Sequence, residues 1–171
     1  MDLFTAIQTR ASVREFDGGA VSRADLTRIL DAARRAPTAF TVQPWHFIAV
    51  TSRETLTALG RVQDCVADAS AAVVAVGDPG ASEFWREDVS AAVENMHLAC
   101  TALDHGSLWV AVLPEKETLV RETLKIPAKL QPLAILAIGR PTAPVAQAER
   151  KPLSANCHDE TYGHAWADTA D

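Results

Sequence analysis

Six apolar residues in unbroken succession, Ala71-Ala72-Val73-Val74-Ala75-Val76, narrow the ways this chain can fold more than any other feature. The run is stopped by Gly77-Asp78-Pro79-Gly80, and it lacks the apolar/polar alternation of a strand that is wet on one side. It reads as a strand covered on both faces. Leu133-Ala134-Ile135-Leu136-Ala137-Ile138, closed by Gly139-Arg140-Pro141, repeats the pattern. Phe47–Val50 and Ser107–Leu113 supply two more strands.

Helical segments alternate with these strands. Asp2–Thr9 reads as a short helix with Leu3, Phe4 and Ile7 on one side. Ser22 caps the next, with Asp25 near its positive end, and Leu26, Ile29, Leu30 and Ala33 follow at helical spacing before Pro37 ends it. Ser52 caps a helix that turns Leu56, Leu59 and Val62 inward. The longest runs from about Trp85 to Leu103, with Trp85, Val89, Ala92, Met96 and Ala99 on one stripe. Ala91, Leu98 and Ala102 form a second stripe, so this helix suits a core or, in preference, an extensive subunit interface. Pro114-Glu115-Lys116-Glu117 starts a helix carrying Leu119, Val120 and Leu124, which Ile126-Pro127 stops. No repeat or linker divides residues 1–171, which form one domain with a polar extension from about 145 to 171. Within that extension Arg150-Lys151-Pro152-Leu153 is the basic cluster.

Composition excludes several classes. A net charge of −6 argues against nucleic acid or an anionic membrane as partner, and no run is long enough to span a bilayer. The opening Met-Asp-Leu-Phe-Thr lacks the regions of a secretion signal. Cys65, Cys100 and Cys157 are odd in number and far apart, which fits a reducing cytoplasm and no disulfide framework. The five histidines and three cysteines show no structural zinc spacing, so no metal is expected. His46 and His97 read as structural histidines, Cys65 and Cys100 as small buried hydrophobes, and the four tryptophans mainly as core.

Two stretches carry chemistry. In Arg10-Ala11-Ser12-Val13-Arg14-Glu15-Phe16 an extended backbone would turn Arg10, Ser12 and Arg14 the same way. Planar guanidinium forks beside a hydroxyl suit a phosphate. Ala36-Pro37-Thr38-Ala39-Phe40-Thr41-Val42-Gln43-Pro44-Trp45-His46-Phe47 reads as a loop running from a helix end into a strand. Pro37 pushes Ala36 out of the helical region and Pro44 removes a backbone donor, while Thr41 and Gln43 could hydrogen-bond a polar heterocycle. There is no glycine signature for tight dinucleotide binding.

Together, in register with Gly106-Ser107-Leu108-Trp109-Val110 and Arg150-Lys151-Pro152-Leu153, these stretches resemble the nitroreductase family of flavin enzymes over about residues 2–163. The resemblance implies an α+β fold with a central mixed, mainly antiparallel sheet flanked by helices, forming an intertwined homodimer with FMN at the subunit interface. It implies that the segment 145–171 docks on the partner subunit. Carried over by position, Arg10, Ala11 and Ser12 would hold the phosphate and ribityl chain, helped by Arg150 and Lys151. Arg14 would lie by the pyrimidine edge as an electrostatic tuner. Pro37, Thr38, Ala39, Thr41 and Gln43 would approach from the other subunit, and the backbone of Val110, Ala111 and Val112 would border the reactive edge. Thr41 stands where many members carry asparagine, and Val112 where glycine is common. The implied activity is a ping-pong NAD(P)H oxidoreductase acting on nitroaromatic or quinone acceptors, with NAD(P)H a transient reductant and no catalytic side chain required. A flavin-binding sensor without activity, or a flavin-fragmenting or dehalogenating relative, is the alternative.

Overall fold

The two unbroken apolar runs lie side by side at the centre of a sheet. In the computed structural model, which describes residues 1–167, they form β2 (Ala71–Gly77) and β4 (Gln131–Gly139), antiparallel neighbours. β1 (Trp45–Val50) flanks β2, and β3 (Gly106–Ala111) flanks β4, giving the order β1-β2-β4-β3 with every pair antiparallel. Successive side chains of a strand point to opposite faces, and here each face meets its own core. Ala72, Val74 and Val76 join Leu56, Leu59, Val66 and Val120 on one side. Ala71, Val73 and Ala75 join Ile29, Ala33, Val89 and Met96 on the other. All of β2 is therefore buried, which explains a run without alternation in an antiparallel sheet.

Helices α3 (Arg53–Leu59), α4 (Cys65–Asp68) and α6 (Pro114–Leu124) serve the first core; α2 (Arg23–Ala33) and α5 (Trp85–Ala102) serve the second. The cap of α2 forms as its sequence predicts: the Asp25 N–H donates to Ser22 Oγ at 3.0 Å, and the Ser22 hydroxyl donates to Asp25 Oδ2 at 2.8 Å. The Ser22 hydrogen bond, then one from His105, holds the Asp25 carboxyl below the usual carboxylate range. β3 stops at Ala111, short of the predicted Leu113, because Pro114 opens α6 and Leu113 becomes its exposed N-cap. The architecture is the α+β arrangement expected, with one parallel bridge among the described residues, Ser12 to Ser107, beside the antiparallel ladders.

Two surfaces stay open. On α1 (Leu3–Thr9) only Ala6 is buried, while Leu3, Phe4 and Ile7 are 61%, 72% and 46% exposed. The second stripe of α5 is likewise uncovered in part, Ala91 and Leu98 being half-buried and Ala102 exposed. Leu3, Ala6, Leu98 and Ala102 line a shallow apolar groove of about 340 Å³. Among the described residues no helix is long and apolar enough to cross a membrane.

The segment between α1 and α2 crosses the end of the sheet, and two glycines explain why. Gly106 and Gly139 are register partners on β3 and β4. A Cβ on Gly106 would lie 2.8 Å from Val13 Cγ2, and one on Gly139 would lie 2.8 Å from Phe16 Cδ1. Where the two side chains are missing, Val13 and Phe16 sit buried. The Val13 N–H donates to the Ser107 carbonyl and the Asp17 N–H to the Arg140 carbonyl, both at 3.0 Å.

Candidate functional site

With Val13 seated on the sheet, its neighbours Arg10, Ala11, Ser12 and Arg14 line a concavity of about 300 Å³. Its opposite wall comes from the polar extension: Ala146, Ala148 and Arg150. Gln147, which sequence analysis did not single out, joins the two walls. Its side-chain amide donates to the Ile7 and Arg10 carbonyls, each at 3.0 Å. Three arginines and a serine thus line one space in a chain of net charge −6. Arg10 is mostly covered, and among the described residues its carboxylate neighbour is Glu94, at 4.0 Å. Arg14 reaches the Ser12 carbonyl at 3.4 Å. A bound anion would relieve the mutual repulsion of such charges.

Beneath the cradle lies a buried polar pair. His97 Nδ1 is 2.8 Å from Ser107 Oγ, and the His97 ring stacks on Trp109 at 6.4 Å between centroids. Burial, and secondarily the charge of Arg10, pushes the His97 pKa from 6.5 down to about 4. Burial pushes the Cys100 thiol up to about 12. Near neutral pH neither is charged, so neither supplies an acid or a thiolate.

The second predicted stretch stands elsewhere on α5. Phe40, Thr41 and Gln43 all have positive φ, +51°, +60° and +52°, three left-handed residues within four positions and no glycine among them. Such a conformation costs on the order of 1–2 kcal/mol per residue. Asp88, buried in the first turn of α5, fixes the loop: the Ala39 N–H donates to its Oδ1 and the Thr38 hydroxyl to its Oδ2, both at 3.0 Å. The Gln43 N–H then donates to Thr38 Oγ1, again at 3.0 Å. Phe40 is left 89% exposed, its ring 6.5 Å from that of Phe84. Glu94, beside the cradle, comes six residues after Asp88, about 9 Å further along the helix axis.

The structure therefore brings Arg10, Ala11, Ser12, Arg14 and Arg150 together around one space. Lys151 is exposed and does not line it. Pro37, Thr38, Ala39, Thr41 and Gln43 gather in the Asp88-held loop instead. Val110 is buried in the core and Val112, just past β3, is half-buried against it, so of these three residues only Ala111 turns an exposed side chain outward. His46 is exposed on β1, a correction to its structural reading, because it sits on the outer strand of the sheet. Among the described residues no group of His, Cys, Asp and Glu could hold a metal ion.

Thr41 gives a direct test of strain in this loop. A β-branched residue at φ +60° is an outlier, whereas asparagine visits that region readily. Thr41 is exposed, so Thr41→Asn adds no clash with the core. The substitution is expected to stabilise the protein by about 1 kcal/mol, read as a higher urea midpoint at an unchanged slope. An unchanged or lower midpoint would show that Thr41 carries no strain.

The chain is similar to known proteins over most of its length. The model of the nitroreductase family matches residues 7–82 and 60–140. A protein of Archaeoglobus fulgidus, named provisionally as an NADH dehydrogenase/NAD(P)H nitroreductase, is 38% identical over 144 residues, spanning 79% of this chain and 83% of that one. An FMN-dependent nitroreductase from Clostridium difficile R20291 superposes with a TM-score of 0.86 at 26% identity, covering 93% of this chain and 99% of that chain. A provisionally named NADH oxidase from Clostridium acetobutylicum does so at 0.85 and 28%, covering 92% and 99%.

Proposed function

Since the chain belongs to the nitroreductase family and is an oxidoreductase, we propose that it holds FMN in the arginine cradle and passes reducing equivalents from NAD(P)H to a nitroaromatic or quinone acceptor. One observation carries this: Arg10, Ser12, Arg14 and Arg150 line a single space in an acidic protein. A phosphate dianion fits that donor set, because guanidinium forks bind it bidentately and the serine hydroxyl adds a further donor. Arg10 and Arg150 hold the phosphate from opposite walls, with Lys151 next in sequence as a further cation. Arg14 supplies the fixed positive charge for the edge that becomes electron-rich on reduction, which favours the reduced form. FMN, when bound, supplies the hydride and electron chemistry. The chain's part is to bind and orient it, and to leave one face open to reductant and acceptor in turn, a ping-pong order.

At about 300 Å³ the cradle is at the small end of ligand sites. The rest of the wall comes from a second copy through its Thr38–Gln43 loop, and the exposed Leu3, Phe4 and Ile7 with the apolar groove beside α5 form the seam of that homodimer. The acceptor is a small molecule, and the site of action is the cytoplasm, in keeping with three free cysteines.

An absorbance spectrum of the purified protein, with its sedimentation mass, tests the proposal. The expected result is a yellow dimer that NADH or NADPH bleaches anaerobically and that a nitro compound or quinone restores. A colourless protein indifferent to added FMN overturns the cofactor assignment. A yellow one that neither nicotinamide bleaches overturns the oxidoreductase cycle.

A further inference from the structure

We propose that Asp88 is a positioning residue: its carboxylate keeps the Thr38–Gln43 loop in a ligand-ready shape, so that the cost of ordering the loop is met before the flavin arrives. The inference rests on the FMN proposal above. A carboxylate buried to this degree is expensive unless its oxygens are satisfied, and among the described residues no basic side chain pairs with it. Its compensation is the positive end of α5 and two donors, both from the loop: the Thr38 hydroxyl and the Ala39 N–H. Thr38 Oγ1 passes the restraint on by accepting the Gln43 N–H, so one buried group governs both ends of the loop.

The loop gains little else from this shape. Phe40, Thr41, Val42 and Gln43 are exposed, and three of the four are left-handed, so the conformation is not stabilised by core burial. Strain of this kind persists only where neighbours over-determine it, and it collects at ligand clamps. Asp88 is well placed for the task, since the same first turns of α5 follow Phe84, whose ring lies 6.5 Å from that of Phe40.

Asp88→Asn keeps the shape but replaces one acceptor by a donor, leaving the Thr38 hydroxyl hydrogen without its partner. Thr38→Val removes the hydroxyl; Thr38→Ser retains it. The measurements are dissociation constants of FMN and of riboflavin by fluorescence quenching, and amide exchange at residues 39–43 in the ligand-free full-length protein. Asp88→Asn and Thr38→Val are expected to weaken both ligands by about tenfold and by equal factors, and to speed exchange at 39–43, with Thr38→Ser restoring both. Equal loss for the two ligands separates the clamp from the phosphate cradle, where Arg10→Ala weakens FMN alone. Unchanged exchange and unchanged affinities in both variants overturn the proposal, and if Asp88→Asn does not fold, Thr38→Val decides it. Should the wild-type protein bind no flavin, the FMN proposal falls, while the exchange rates still decide whether Asp88 holds the loop.

Discussion

Arg10→Ala is expected to weaken FMN binding by about 100-fold, against a fold that survives intact. Truncating one member of a close charge pair costs about 2–5 kcal/mol, and Arg14 and Arg150 remain to cushion the loss, which puts the effect near the lower half of that range. At about 1.4 kcal/mol per decade this is roughly two orders of magnitude in dissociation constant. The fold tolerates the change because the hydrogen bonds Arg10 makes with its own chain are through its backbone. Its N–H donates to the Ala6 carbonyl at 2.9 Å, and its carbonyl accepts the Gln147 amide at 3.0 Å. Glu94, the side-chain neighbour, is 54% exposed and stays solvated when the arginine is gone. Arg10→Lys keeps the charge but loses the planar fork, and is expected to fall between wild type and alanine. Fluorescence titration at fixed ionic strength measures all three, and flavin affinity equal to wild type in Arg10→Ala removes Arg10 from the phosphate role.

The parts of the molecule that could be read from residue order are those governed by local rules. The unbroken runs at 71–76 and 133–138 require cover on both faces and receive it. Ser22 and Asp25 cap α2, and Arg10, Ser12, Arg14 and Arg150 meet around one space. What stayed hidden depends on partners distant in sequence. Asp88 is one of two acidic residues in the first turn of α5, and nothing nearby announces that its oxygens serve residues 38 and 39, some fifty positions earlier. The left-handed turn at Phe40 and Thr41 carries neither glycine nor asparagine, the usual markers of positive φ. Gln147 is one polar residue in a polar extension until it is seen bonding the backbone at Ile7 and Arg10. Leu3, Phe4 and Ile7 form a helical stripe that implies an inward face, yet in the single chain that face meets solvent. Trp166, counted with the core tryptophans, is 48% exposed, because the extension that carries it lies outside both cores.

The largest effect on stability is expected from His97 as the medium is acidified. Its pKa is about 4 in the folded protein against the ordinary 6.5, because burial against Trp109 and Ser107, aided by the charge of Arg10, disfavours the imidazolium. An unfolded chain takes up a proton on this ring as pH drops through 6.5, whereas the folded chain refuses it until about pH 4. Between those values the unfolded state binds more protons, so stability falls as pH falls. The contribution of His97 is fully present above pH 6.5 and is lost progressively towards pH 4, a change of about 3 kcal/mol from a shift of about 2.5 units at 1.36 kcal/mol each. Asp2, Asp17, Asp25 and Asp31 are all held below 3.8, so their own losses come at lower pH and do not blur this window. His97→Gln keeps a polar group opposite Ser107 but cannot titrate, so urea unfolding at intervals from pH 7 to 4.5 should lose its slope in the variant. Arg10→Ala should leave most of the slope in place, since burial and not the guanidinium is the larger cause. Parallel profiles for wild type and His97→Gln would mean that the ring takes up its proton in the folded protein as readily as in the unfolded one, and that the floor of the cradle is wet.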